Sequence, residues 1–120
     1  MGTVTLRRED FAAAVAGAGI VLVDFRGASS GSSRAFAAVF DAAGDRHPDL
    51  LFAAVDAEGE PELAEEVGVR SVPTLMVFRD GVLVFAEPGW LPGDSVDLLV
   101  ATVRDLDMAA VRATFPPPPP

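Results

Sequence analysis

The sequence predicts a single α/β domain with a mixed central sheet of about five strands flanked by four helices. Three observations predict this class. Apolar runs at 20–25, 51–56 and 75–79 have the length of buried strands. The segments between them carry apolar residues at helical spacing, which is typical of parallel crossover connections. Asp80-Gly81 after the third run is a hairpin signal, so the last strand should return antiparallel.

The first three elements follow from patterns near the N-terminus. Thr3–Leu6 alternates weakly between polar and apolar residues and predicts an edge strand. Glu9–Ala16 is rich in alanine and places Phe11 and Val15 four residues apart, which predicts an amphipathic helix. Ile20–Phe25 is apolar and rich in β-branched residues, so we expect a central strand covered on both faces.

The middle of the chain predicts a long helix and a second buried strand. Ser33–Asp45 would carry Phe36, Val39 and Phe40 on one helical face. Leu51–Asp56 is another apolar run of strand length. A strand, a helix and a strand in this order indicate a parallel pair joined by a crossover.

The C-terminal half predicts a short helix, a hairpin and a covering helix. Pro61–Val67 begins with proline at the first helical position, which is typical of a helix start. Leu75–Arg79 and Val82–Glu87 flank the turn and should pair antiparallel. Asp94 or Ser95 is expected to cap the final helix. Its inward-facing residues would be Val96, Leu99, Val100, Val103 and Leu106.

These elements fit one domain over residues 1–110. The run Pro116–Pro120 can join neither a helix nor a sheet, so we expect residues 111–120 to form a disordered tail that ends in polyproline.

Arg7-Arg8 before an apolar run superficially resembles a secretion leader. However, Glu9 and Asp10 place acids where a leader has none, and the run is shorter than the ~20 apolar residues that cross a bilayer. We therefore interpret it as a helix, a turn and a strand, and expect a cytoplasmic monomer.

The charge of the chain excludes two classes of partner. The formal net charge is −9, whereas nucleic acids and anionic membranes are bound by clustered basic residues. We also expect no cofactor and no metal site, because the acidic cluster lacks the spacing of a calcium loop and fits a solvated helix face better. That cluster consists of Asp56, Glu58, Glu60, Glu62, Glu65 and Glu66.

Asp24 is the anomalous residue of the central strand. A buried carboxylate costs several kcal/mol unless it is neutral or paired. We expect a hydrogen bond to Ser33 or to trapped water to account for it.

A resemblance to a known family is carried by two short segments. Asp24 is followed by Ser29-Ser30-Gly31-Ser32-Ser33-Arg34 at a helix start, and Val72-Pro73-Thr74 precedes a later strand. This arrangement resembles the thioredoxin family, in which a Val-Asp-Phe strand leads into Trp-Cys-Gly-Pro-Cys-Lys. The resemblance runs from about Val4 to Met108 and implies a thioredoxin-like fold.

The resemblance implies disulfide-oxidoreductase ancestry, yet the reactive groups are absent. Ser30 and Ser33 stand at the two cysteine positions, and the sequence contains no cysteine. Asp24 matches the buried acid that assists the second cysteine in the family. A serine hydroxyl neither ionises at neutral pH nor exchanges with disulfides, so we expect no enzymatic activity. His47 cannot activate these serines, because it lies at the far end of the same helix as a surface residue.

The resemblance also implies a groove that binds an extended client peptide beside a cis-proline. Trp90 is either an exposed anchor of this groove or packs on the last helix. Two alternatives remain open: an inactive or engineered variant of a true thioredoxin serving cell redox homeostasis, and an interaction protein that uses its acidic face or proline tail. The expected groove residues are Ser29, Ser30, Gly31, Ser32, Val72, Pro73, Thr74, Gly89 and Trp90.

Overall fold

The computed structural model describes residues 3–114 of the chain. Five strands and five helices lie within this range, in the order that the sequence predicts up to the last helix. They are β1 (Thr3–Thr5), α1 (Arg8–Gly17), β2 (Ile20–Arg26), α2 (Gly31–Arg46), β3 (Leu51–Asp56), α3 (Pro61–Val67), β4 (Thr74–Arg79), β5 (Val82–Pro88), α4 (Gly93–Arg104) and α5 (Met108–Thr114).

The strands form one mixed sheet in the order β1-β3-β2-β4-β5. β1 and β2 both pair with β3 in parallel, whereas β4 pairs antiparallel with β2 and with β5. β2 therefore lies at the centre of the sheet. Its C-terminal end reaches the N-terminal end of β4, where Phe25 and Thr74 are register partners.

Two apolar clusters cover the two faces of the sheet, as its buried strands require. One cluster packs α1 and α3 against odd-numbered residues of β2 and includes Phe11, Phe25 and Leu63. The other packs α2 and α4 against the opposite face and includes Phe40 and Val100. These clusters hold α2 and the loop that precedes it at the C-terminal end of β2.

The hairpin between β4 and β5 has the turn that its sequence predicts. Asp80 and Gly81 have φ values of 54° and 82°, the left-handed conformation that both central residues of a type I′ turn adopt. Aspartate tolerates this region and glycine enters it without steric cost, which explains why this dipeptide closes the hairpin.

The C-terminal region differs from the sequence prediction in the number of helices and in their caps. A fifth helix, α5, follows α4, and Asp107 Oδ1 accepts the main-chain N–H groups of Ala109 and Ala110 at its start. Neither Asp94 nor Ser95 caps α4; its N-cap is Pro92, whose carbonyl accepts the N–H of Ser95 at 3.0 Å. The proline–glycine turn thus starts the helix earlier than a polar side-chain cap would.

α5 also changes the expected tail. Residues 111–114 complete this helix instead of belonging to a disordered segment. Residues 115–120, with the polyproline run, lie outside the described range. Across residues 3–114, every helix is too short or too polar to cross a lipid bilayer.

Candidate functional site

The segment Gly27 to Ser33, which we call the serine loop, connects β2 to α2. Ser30 is the N-cap of α2, and its Oγ accepts the N–H of Ser33 at 3.2 Å. Such a cap contributes about 1 kcal/mol to helix stability. The helix therefore starts at Gly31, two residues before the predicted start. Ser30 Oγ also lies 3.2 Å from Ser32 Oγ.

Ser33 has a structural role inside the loop. Its side chain is buried, and its Oγ accepts the N–H of Gly27 at 2.9 Å. The main-chain N–H of Ser30 in turn donates to the carbonyl of Gly27 at 3.1 Å. These bonds close the loop on itself and leave the side chains of Ser29 and Ser32 exposed.

The segment Ser71 to Thr74, which we call the cis-proline loop, lies against the serine loop. The Val72–Pro73 peptide bond is cis. A Cβ placed on Gly27 would lie only 2.9 Å from Val72 Cγ2, so the two loops touch at this glycine. Pro73 and Thr74 are buried, and the Thr74 hydroxyl donates to the Ser71 carbonyl at 2.7 Å.

Gly89 and Trp90 complete the surface on the other side of the cis-proline loop. The N–H of Gly89 donates to the Pro73 carbonyl at 2.8 Å. Gly89 has a φ of 103°, which an L-residue rarely adopts. Trp90 is 49% exposed, so its side chain lies at the surface. We call the surface formed by the serine loop, the cis-proline loop and Gly89-Trp90 the groove.

The main chain of Val72 is unpaired inside this groove. Within residues 3–114, neither its N–H nor its carbonyl makes a hydrogen bond, although its neighbours Ser71 and Pro73 both accept one. Val72 as a residue is half-buried, so part of it is open to solvent. An unpaired donor and acceptor on one residue can pair with an extended segment of a partner.

Glu58 belongs to the same surface, although its sequence context predicts only a solvated acidic face. Its Oε2 would lie 2.9 Å from a Cβ on Gly27 and accepts a hydrogen bond from Ser29 Oγ. It thus lies where the serine loop and the cis-proline loop meet. No local sequence pattern gives this position, because Ser29 lies between β2 and α2 whereas Glu58 lies between β3 and α3.

Asp24 is fully buried on β2 and is paired with Arg26, two residues along the same strand. Both Nε and Nη2 of Arg26 lie 2.9 Å from Asp24 Oδ2. Arg26 Nη2 also donates to Asp41 on α2 at 3.1 Å, and Asp41 accepts the hydroxyl of Thr3 at 2.7 Å. The network ties β1, β2 and α2 together beneath the serine loop.

The structure pairs Asp24 with Arg26 in place of the expected hydrogen bond from Ser33, whose Oγ accepts the N–H of Gly27. Period-two geometry puts residues i and i+2 on one side of a strand, so the sequence did contain the signal for Arg26. Asp24 Oδ1 still has no partner among the described residues. Burial therefore raises the pKa of Asp24 to about 6, although the charge and hydrogen bonds of Arg26 act in the opposite direction.

His47 lies at the opposite end of α2 from Ser30, as the sequence predicts, but it is not a simple surface residue. Its side chain is 21% exposed, its Nε2 lies 2.9 Å from Asp97 Oδ1, and its ring stacks on Phe52. Asp97 joins it to α4. The serines of the loop therefore have no histidine base within reach, which excludes a serine–histidine nucleophile here.

The acidic cluster behaves as a set of solvated and paired side chains. Arg8 binds Glu62 at 2.9 Å and also pairs with Glu66. Asp56 Oδ1 accepts the N–H of Glu58 at 3.0 Å. Within residues 3–114, no group of histidine, aspartate and glutamate side chains converges as metal ligands.

A comparison with known protein families agrees with the fold described above. The family model for thioredoxin matches residues 2–102. The chain belongs to the thioredoxin family. Its relatives within that family include a protein of Streptomyces coelicolor named putative thioredoxin 2, which is 42% identical over 110 residues and covers 92% of this chain and 82% of the relative.

Other thioredoxins match at lower identity. The thioredoxin of Alicyclobacillus acidocaldarius is 32% identical over 102 residues, which cover 84% of this chain and 97% of that protein. Among solved structures, a mutant thioredoxin from Halobacterium salinarum superposes with a TM-score of 0.81 at 24% identity and covers 88% of this chain and 94% of its own. That likeness shows the thioredoxin fold. In this chain, Ser30 and Ser33 stand at the positions of the two cysteines of the thioredoxin motif.

Proposed function

We propose that this thioredoxin-family protein binds an extended segment of a partner protein in the groove and performs no disulfide exchange. The binding would be reversible and would use the shape and main chain of the groove. The single observation that carries the proposal is the unpaired main chain of Val72 between two walls, the serine loop and Gly89-Trp90.

The first support is the hydrogen-bonding capacity of Val72. One N–H and one carbonyl on the same residue can pair with a partner strand as neighbouring strands of a sheet pair. Such pairing needs no side-chain chemistry and no cysteine. The exposed indole of Trp90 supplies apolar and aromatic contact area beside it, as anchors of binding sites commonly do.

The second support concerns what the loop cannot do. Disulfide exchange requires a thiolate as nucleophile and a second thiol to resolve the mixed disulfide. The 120 residues contain neither. Ser30 and Ser33 are instead used as a helix cap and as a buried acceptor for the N–H of Gly27. The positions that hold the reactive groups in the family thus stabilise the loop in this chain.

A library selection followed by NMR tests the proposal. Random dodecapeptides displayed on phage are selected on the immobilised protein, and enriched peptides are synthesised and titrated into the ¹⁵N-labelled chain. We expect the largest shift changes at Val72, Trp90 and the serine loop. The Trp90→Ala variant, which removes an exposed ring, should fold normally and lose affinity.

Two results would count against the proposal. One is that no peptide binds with a Kd below about 1 mM. The other is that the shift changes cluster on another surface, such as the apolar depression between β5 and α4 that Phe85, Leu91 and Leu98 line. An insulin reduction assay run beside the titration should show no activity above the rate of dithiothreitol alone.

A further inference from the structure

We propose that the groove selects partner segments that carry a lysine or arginine next to the residue paired with Val72, and that Glu58 recognises this basic side chain. The inference rests on the proposed function, because it specifies the chemistry of the segment that is bound there.

The position of Glu58 is the first observation. Its carboxylate and the side chain of Val72 share the space that the absent side chain of Gly27 leaves, each 2.9 Å from where a Cβ would be. The carboxylate therefore lies beside Val72, whose main-chain N–H and carbonyl are unpaired. An extended partner places successive side chains on alternate sides. A long basic side chain on the serine-loop side is then within reach of Glu58.

The pairing state of Glu58 is the second observation. Ser29 donates to Oε2, which holds the carboxylate in place without neutralising it. Within residues 3–114 no arginine lies within ion-pair distance of Glu58. Glu62 and Glu66 on the neighbouring helix differ in this respect, because Arg8 binds both. An ionised carboxylate is an acceptor only, so Glu58 can accept further N–H groups from a cation.

The surroundings favour a cation as well. Trp90 is exposed next to Gly89, and guanidinium and ammonium groups bind to the faces of indole rings. The chain as a whole has a formal net charge of −9, which attracts basic segments and repels acidic ones at long range. The local acceptor and the global charge therefore select the same kind of partner.

Two basic residues near the groove act against this preference. Arg34 lies in the first turn of α2, and its Nη1 donates to the carbonyl of Ala28 at 2.7 Å. Arg70 is exposed two residues before Val72 and makes no polar contact with described residues. The three atoms nearest to a Cβ on Gly27 belong to Glu58 and Val72, not to either arginine. If Arg34 and Arg70 determined recognition, the groove would bind an acidic segment instead, and the experiment below distinguishes the two cases.

The experiment uses three capped peptides of alternating valine and serine that differ at one central residue, which is lysine, glutamine or glutamate. Each is titrated into the ¹⁵N-labelled full chain at low and at high salt. We expect the lysine peptide to bind about three- to tenfold tighter than the glutamine peptide, and the glutamate peptide to bind weakest. The preference should shrink at high salt, because ions screen exposed charges.

Substitutions then assign the preference to one side chain. Glu58→Gln keeps the size and the hydrogen bond to Ser29, and should reduce the lysine-to-glutamine ratio to below about twofold. Glu58→Lys should favour the glutamate peptide. Glu9→Gln is the matched control: it makes the same change of charge on α1, where Glu9 pairs with Arg7, and should leave the ratio unchanged.

The outcomes separate this inference from the proposed function. If all three peptides shift Val72 with equal affinity, or if Glu58→Gln keeps the lysine preference, the role of Glu58 is refuted while the groove is retained. Tighter binding of the glutamate peptide would likewise refute it in favour of Arg34 and Arg70. If neither the three peptides nor any library peptide changes the chemical shifts of Val72, the proposed function itself is refuted.

Discussion

The replacement of Asp24 by asparagine tests how the chain retains a buried acid. Asp24 is completely buried, shares Oδ2 with Arg26 and leaves Oδ1 without a partner among the described residues. Asparagine has nearly the same shape, cannot ionise, and keeps an oxygen that can accept the N–H groups of Arg26. We therefore expect Asp24→Asn to be at least as stable as the wild type at neutral pH.

The magnitude follows from the raised pKa of Asp24, which changes from an ordinary 3.8 to about 6 on folding. Each pKa unit corresponds to about 1.4 kcal/mol, so ionisation of Asp24 costs the folded state about 3 kcal/mol at pH 7. Below pH 3.8 the acid is neutral in both states and costs nothing. As the pH rises from about 4 to above 6, Asp24 ionises first in the unfolded chain. The unfolded state is thereby stabilised relative to the folded state, and the free energy of unfolding falls.

Urea unfolding of both proteins at half-unit pH steps from 4 to 7.5 measures this effect. The difference in unfolding free energy, variant minus wild type, should rise by about 2.5 kcal/mol between pH 4 and pH 7.5 and level off above about pH 6.5. Other carboxylates cancel in the difference. A flat difference would show that Asp24 keeps its ordinary pKa, and a difference that falls with pH would show that Arg26 outweighs burial. Either result would refute the reasoning.

Three further changes test other parts of the structure. Gly81→Ala should lower the free energy of unfolding measured in urea by about 1 kcal/mol, because the φ of 82° is strained for alanine. No atom lies within 4 Å of the added Cβ, so the backbone angle alone causes this loss. An unchanged urea midpoint would contradict the turn conformation. The double variant Ser30→Cys/Ser33→Cys should restore little insulin reduction, because Asp24 is hydrogen-bonded to Arg26. Adding Arg26→Trp should raise the rate of reduction. Full activity of the double variant alone would refute a role for Arg26. Trp90→Ala should change the melting temperature by less than 2 °C while weakening peptide binding, and a large loss of stability would show that the ring supports the fold.

Much of the fold follows from local sequence patterns. The apolar run of β2 and the Asp80-Gly81 turn each specify an element by physical causes that act within a few residues. The sequence does not predict α5, because seven residues carry too little periodicity to indicate a helix, although Asp107 offers an N-cap for it.

The candidate site was less predictable because its contacts join distant segments. Glu58 reaches Ser29 from the segment between β3 and α3, and no spacing in the sequence indicates that contact. The free main chain of Val72 follows from the path of the cis-proline loop, which depends on the packing of β4 beside β2. Arg26 is the exception, since its position two residues after Asp24 on a strand already predicts that the two side chains share a face.

Hydrogen exchange at the amide of Val72 tests the central claim most directly. In the free protein this amide has no hydrogen-bond partner within residues 3–114 and should exchange rapidly. With a library-selected peptide at saturation, the account predicts that the Val72 amide becomes protected by at least an order of magnitude, because the partner strand accepts its hydrogen bond. Unchanged exchange at Val72 in a saturated complex would show that the partner binds elsewhere and would contradict the account.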